Sequence, residues 1–370
     1  MRFVVFTHSL ISDWNHGNAH FLRGIASELL NNGHDLRIFE PRDGWSLRNL
    51  IAAERDSAVA AFSTAFPELR SEFYDLKSIN LNAALKGADV VLVHEWNPHE
   101  LVWRIGEHHA KGGKYRLYFH DTHHRSVTDS GSMAAYNLEQ YDGVLAYGSV
   151  IRDWYLENGW TKAAWTWHEA ADVRTFYPRE AKANDGDIVW IGNWGDDERA
   201  EEIEEFLIRP VAELGLRARV YGVRYPEHAL KALADAGIEY GGWLANYRVP
   251  EVFSRFRATV HIPRRPYVRA LPGIPTIRPF EALACAIPMI SAPWTDCEGL
   301  FRPGDYQTAE NGDEMAGRLE KLLANPRRAE AQASQGLGTI RARHTCAHRV
   351  RELLAIVEES RERPRAWGAD

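Results

Sequence analysis

Twice in 370 residues a short apolar run leads through a polar, glycine-containing loop into an amphipathic segment, and this doubled strand–loop–helix pattern restricts the chain to an α/β fold. The first instance runs from 3–7 through a loop at 8–18 to a helical pattern at 19–32, closed by Gly33. Further strands are expected at 35–39, 90–94 and 115–119, with helical patterns such as 101–111 between them. The pattern restarts at 187–191, continues through strands at 218–221, 259–262 and 289–291, and places helices at 199–214, 226–236 and 279–286. Strands alternating with helices imply parallel sheets covered on both faces. The expected architecture is two Rossmann-like domains facing across a cleft, residues 1–174 and 175–345. A terminal segment, 346–370, carries a helix that could pack back on the first domain. The stretch 170–178, followed by polar residues to Gly186, reads as the linker. Open parallel sheets bind ligands outside the carboxyl ends of their strands, so the loops there are where chemistry is sought.

The length suits two domains, and 45% hydrophobic with 26% charged residues argues against disorder. A formal net charge of −7 gives no bulk attraction to phosphate backbones or anionic lipid, so nucleic acid is not expected as a partner. Three cysteines without a CxxC pair suit a reducing compartment, and no apolar run approaches the roughly 18–20 residues needed to span a bilayer; a cytoplasmic location is expected. Of the 16 histidines, 12 lie at or before His168, several beside Asp or Gly, where a neutral-pH acid or base would be useful.

Four segments carry candidate chemistry. His16, Gly17, Asn18 and His20 follow the first strand and open the first helix, where backbone N–H groups could hold a phosphate or sugar hydroxyl; the plainer reading is a turn with Asn18 as helix cap. His120, Asp121 and His123 lie just beyond the strand 115–119, and Asp121 with either histidine is read as a sugar-binding or proton-handling group facing the cleft. Three histidines invite a metal, but zinc-type spacing is lacking and no metal is inferred. Gly192, Asn193 and Arg199 follow the strand 187–191 and suit a diphosphate, with capping by Asp196 and Asp197 as the plainer reading. Finally, Gly273, Ile274, Pro275, Thr276 and Arg278 lead into a short helix carrying Glu281, whose carboxylate can accept both hydroxyls of a ribose. Arg264 and Arg265, beyond the strand 259–262, are further candidates for leaving-group charge.

Phe280, Glu281, Ala282, Ala284 and Pro288 match the pattern F-E-A-x-A-x-G-x-P, with Ala286 at the usual Gly. With Gly33-His34-Asp35, Tyr221-Gly222 and Gly242-Trp243 in order along the chain, the sequence resembles glycosyltransferases of the GT-B architecture, more narrowly the family-four and CgeB-like branch. The resemblance implies transfer of a sugar from a nucleotide-sugar donor to an acceptor hydroxyl, without an obligatory metal or other cofactor. The acceptor would be a glycan, a lipid-linked molecule or a small molecule. It implies that Glu281 binds the donor ribose, that residues 273–276 lie near the donor sugar or diphosphate, and that Gly192, Asn193 and Arg199 lie near the phosphates. The second Glu usual in family four, eight positions before the matched one, is Gly273 here. A nucleotide-sugar 2-epimerase and a non-catalytic sugar-binding module share the architecture as alternatives.

Overall fold

The computed structural model describes residues 1–180 and 183–362. The chain divides into two compact units, Met1–Glu169 with the segment from Cys346 onward, and Ala170–Thr345. The division falls between Glu169 and Ala170, not after residue 174, because Ala171 is already tied to the second unit through its N–H on His344 O (2.9 Å) and a parallel bridge to Thr345.

In the first unit the described strands are β1 (Arg2–Phe6), β2 (Asp35–Pro41), β3 (Ser71–Tyr74), β4 (Val90–His94), β5 (Arg116–Asp121), β6 (Gly143–Ala146) and β7 (Ala164–Thr166). They form one parallel sheet in the order β3-β2-β1-β4-β5-β6-β7. The central strand β4, VVLVH, is buried along its whole length, as a parallel strand covered on both faces requires. β5 runs further than expected: His120 and Asp121 are not in the following loop but are its last two residues, registered against Leu145 and Ala146, with His120 also opposite His94. The helix Cys346–Glu362 completes this unit, packing on the helix Ala19–Asn31 and burying Val350, Leu353, Ile356 and Val357. Residues 363–370 of the expected terminal segment lie outside the described residues.

The second unit repeats the plan with β8 (Gly186–Ile191), β9 (Ala218–Tyr221), β10 (Glu239–Tyr240), β11 (Phe256–His261), β12 (Met289–Ser291) and β13 (Gln307–Thr308) in the parallel order β10-β9-β8-β11-β12-β13. Its core gathers Ile188, Trp190, Phe206, Leu207, Val220, Val260 and Leu319. In each sheet the first strand sits between the second and the fourth, so the strand order reverses between β1 and β4 and between β8 and β11. In a doubly wound sheet that reversal opens the crevice where ligands bind.

Candidate functional site

In the second unit the crevice lies beyond β8 and β11. Tyr221 O accepts the Gly192 N–H (2.9 Å), and Gly192 O accepts the Tyr225 hydroxyl (2.8 Å), so the turn after β8 is fixed at both ends. A Cβ at Gly222 would stand 2.1 Å from Gly192 O, so only glycine allows the two turns to touch. Arg199 donates through Nε to Asn193 O (3.2 Å), through Nη2 to the same oxygen, and through Nη1 to Ile262 O (3.1 Å), with Trp190 beneath the guanidinium. Burial, and then the neighbouring Arg264 and Arg278, bring its pKa down to about 9. Carbonyl dipoles are its hydrogen-bond partners, which leaves the guanidinium charge largely uncompensated and ready for an anion. Arg264 is paired with Glu198 (3.2 Å). Arg265 instead binds Glu202 (2.6 Å), Glu201 (2.9 Å) and the Asp197 carbonyl (2.7 Å), so its charge is spent on an acidic group and it does not join the set.

Thr276 precedes the helix Ile277–Ala284, and its hydroxyl meets His261 Nε2 (3.3 Å), while His261 Nδ1 meets the Ser291 hydroxyl (2.9 Å). Burial, then Arg199 and Arg278, lower the His261 pKa to about 3, so the ring is neutral. Glu281 is 0% exposed, with Oε1 accepting from Asn246 Nδ2 (2.6 Å) and Oε2 bonded to Arg278. Gly273 has φ +86°, and a Cβ there would meet Cys297 Sγ at 2.7 Å and the Glu298 side chain at 2.8 Å; the position therefore has no room for the glutamate usual in the resembling family. Ile274 is fully buried, its carbonyl accepting Trp294 Nε1 (3.1 Å), and Pro275 is buried beside it. The expected caps are absent: Arg199, not Asp196 or Asp197, precedes the helix at Ala200. Sequence reasoning missed Asn246, in a short turn just after Gly242-Trp243, and His261, the last residue of β11, because neither belongs to the matched helix motif that they meet in the fold.

In the first unit the crevice lies beyond β1 and β4. Arg23 holds the loop after β1 in place, bonding Leu10 O (2.9 Å), Ile11 O (2.7 Å) and Asp13 (2.9 Å). His16 is 9% exposed, with Nε2 on Ser9 O (3.2 Å) and its ring 3.8 Å from that of His8. His8 stands 5.3 Å from His94, and His94 5.3 Å from His120, whose ring lies 4.8 Å from Trp167. Burial lowers the pKa of His8 and His120 to about 3 and that of His16 and His94 well below 6.5, so these imidazoles are neutral and weakly basic. Asn18 does not cap its helix; its Nδ2 donates to Glu169 Oε1 (2.6 Å). Gly17 is exposed and His20 is buried.

Asp121 is 0% exposed and so does not face solvent; Oδ2 accepts the Tyr155 hydroxyl (2.9 Å) and Oδ1 the His123 N–H (3.1 Å). Beside it stands Glu95, also 0% exposed and missed by sequence reasoning, although it directly follows the strand 90–94. Glu95 Oε1 accepts from the Thr122 N–H (3.0 Å) and hydroxyl (3.3 Å), while Oε2 has no hydrogen-bond partner. Burial raises the pKa of Asp121 to about 6; burial and then the Asp121 charge raise that of Glu95 well above 4.5.

With this geometry in place, comparison with known proteins is informative. A family model described as glycosyl transferase-like matches residues 199–355. The matched segment contains Arg199, Asn246, His261, Arg264, Arg278 and Glu281. Solved structures with the same fold include a sucrose-phosphate synthase from Thermosynechococcus elongatus (13% identity, TM-score 0.66, 97% of this chain and 98% of that one). An alpha-glucosyltransferase in complex with UDP and a 13-mer DNA aligns at 13% identity and TM-score 0.68 over 97% and 99% of the two chains. A glycosyltransferase from Rickettsia africae aligns at 13% identity and TM-score 0.66 over 98% and 99%. These likenesses show the GT-B fold. No curated protein sequence matches the chain. Family match and fold together support a glycosyltransferase.

Proposed function

We propose that the protein transfers a sugar from a nucleotide-sugar donor to an acceptor hydroxyl, with the second unit holding the donor's nucleoside diphosphate. The observation that carries this reading is the convergence of Arg199, Arg264 and Arg278 on one crevice inside the segment that matches the glycosyl transferase-like model. A buried guanidinium whose proton affinity is lowered by desolvation and by two neighbouring guanidinium charges gains most when an anion enters beside it. In the transfer, the acceptor oxygen bonds to the anomeric carbon and gives its proton to a base, for which Asp121 is proposed, while the bond from that carbon to the diphosphate oxygen breaks and both its electrons leave with the diphosphate. Arginine and N–H dipoles stabilise that developing charge, and on this reading the reaction needs no divalent metal.

Glu281 is the proposed ribose ligand. Its present bonds to Arg278 and Asn246 show a carboxylate held in place, and a ribose would compete for its lone pairs. Gly192, Asn193, Gly273, Ile274, Pro275 and Thr276 shape the walls. Of the proposed proton-handling groups, Asp121 is the one ionising near neutrality, whereas His16 and His120 are weak bases. Gly17, Asn18, His20 and His123 remain proposed acceptor-side residues, and the acceptor is proposed to be a glycan, a lipid-linked molecule or a small molecule, not nucleic acid.

The test is nucleoside diphosphate release from a panel of nucleotide sugars, with and without acceptors and with EDTA. Acceptor-stimulated release that survives EDTA and falls at least tenfold in Arg199→Ala supports the reading. Isomerisation of the donor, or binding without turnover, overturns it.

A further inference from the structure

We infer that Glu95 and Asp121 form a pair of one carboxylic acid and one carboxylate at the carboxyl ends of β4 and β5, in which Glu95 is the protonated member and acts as a positioning residue that keeps Asp121 as a lone carboxylate.

Two buried carboxylates lie side by side here, and their hydrogen bonds differ in kind. Asp121 receives donors on both oxygens, from Tyr155 and from the His123 N–H, which suits an ionised group. Glu95 receives donors on Oε1 alone, both from Thr122, while Oε2 is sealed from solvent with no partner. An ionised Glu95 would bury an unsatisfied half-charge next to another anion; a protonated one places its proton on Oε2 and keeps Oε1 as the acceptor Thr122 needs. The neighbours on every side agree with one negative charge, not two. Arg125 is the nearby cation, stacked on Trp96 and paired with Asp129 (3.8 Å). His94, on β4, meets the Thr122 hydroxyl (2.9 Å) and is neutral, and Tyr155 and Tyr136 hold their protons far above neutrality. The pair therefore gives the first unit a single carboxylate of tuned basicity against Thr122 and His123, a feature that neither the fold nor the family match assigns. Its link to catalysis rests on the transfer reading; the pair itself does not.

Infrared difference spectra of the full chain at neutral pH read the pair directly. The expected result is the carbonyl stretch of a protonated carboxylic acid, lost in Glu95→Gln and kept in Tyr155→Phe. In Asp121→Asn the band should remain at low pH and disappear at a lower pH than in the native chain, because the neighbouring negative charge is gone. Absence of the band from the native protein, or its persistence unchanged in Glu95→Gln, overturns the proposal. In the donor assay, Glu95→Ala, which opens the space beside Asp121 to water, should keep the donor KM within about twofold, lower kcat and move the acid limb from near pH 6 to lower pH, because burial is what raises Asp121. A KM rise with unchanged kcat would overturn the positioning role. If no nucleotide sugar turns over, the transfer reading fails, and the infrared band alone decides the pair.

Discussion

Most polar side chains in the two crevices are held by partners within their own unit, and two of them set measurable expectations. Glu281→Gln removes the charge that faces Arg278 and leaves one acceptor oxygen where Arg278 and Asn246 each have their own. Breaking a buried ion pair by changing one partner costs about 3–5 kcal/mol, and the partial exposure of Arg278 lowers that to about 2. We expect nucleotide affinity to fall together with the denaturation midpoint; weakened binding at unchanged stability would mean that Glu281 meets only the ligand. The buried histidines set the pH dependence of stability. His8 and His120 have folded-state pKa values of about 3 against 6.5 in the unfolded chain, so the unfolded state takes up protons first as pH falls. Stability is therefore full above about pH 6.5 and declines toward pH 3. Glu95 and Asp121, with raised values, act in the opposite sense and offset part of the loss. Urea midpoints should drop between pH 7 and pH 5, and a rise over that interval would show that the carboxylates outweigh the imidazoles. Glu281 was legible because it sits in a compact motif. Glu95 was not, since a carboxylate after an apolar run reads as solvated until the 122–126 segment folds over it.

Among the elements, the helix Ile277–Ala284 shows what its motif is for. Beyond its cap at Cys285, the chain turns left-handed at Ala286 (φ +52°), the Ala286 N–H bonding Leu283 O (3.1 Å) and the Ile287 N–H bonding Ala282 O (3.2 Å). That is the paired closure that usually places glycine at Ala286's position. The resembling family has glycine there, and this chain bears the steric strain of a methyl group. Ala286→Gly should therefore stabilise the protein by about 0.5–1 kcal/mol, read from chemical denaturation. A loss would show that the methyl group packs more favourably than the turn is strained. The central strands were readable as apolar runs, because burial on both faces leaves no polar positions. β3, β7, β10 and β13 were not, being short and partly exposed; nor was β6, which is buried but only four residues long and opens on glycine; and His120 and Asp121 looked like loop because polar residues at a strand's end resemble one.

For the whole chain, the restart of the strand–loop–helix pattern was enough to read two α/β sheets; an amphipathic segment does not declare its partner, and it is the packing on the helix Ala19–Asn31 that gives the last helix to the first unit. The second unit is built entirely from Ala170–Thr345, with its own sheet and core. Expressed alone, that segment should melt cooperatively, while Met1–Glu169 without Cys346–Glu362 should not, because Trp167 Nε1 loses Arg349 O (2.8 Å) and the helix Ala19–Asn31 loses its cover. Circular dichroism melts of the two fragments decide this, and a sharp transition in Met1–Glu169 alone would contradict the division. The same arrangement bears on how the chain is born. At roughly 5–20 residues per second, a ribosome spends about 10–35 s on the second unit after finishing Glu169, and throughout that interval the nascent amino-terminal sheet lacks its closing helix. Its uncovered apolar flank is then open to chaperones, or to the same flank on a neighbouring nascent chain, and early termination of translation would leave it open permanently.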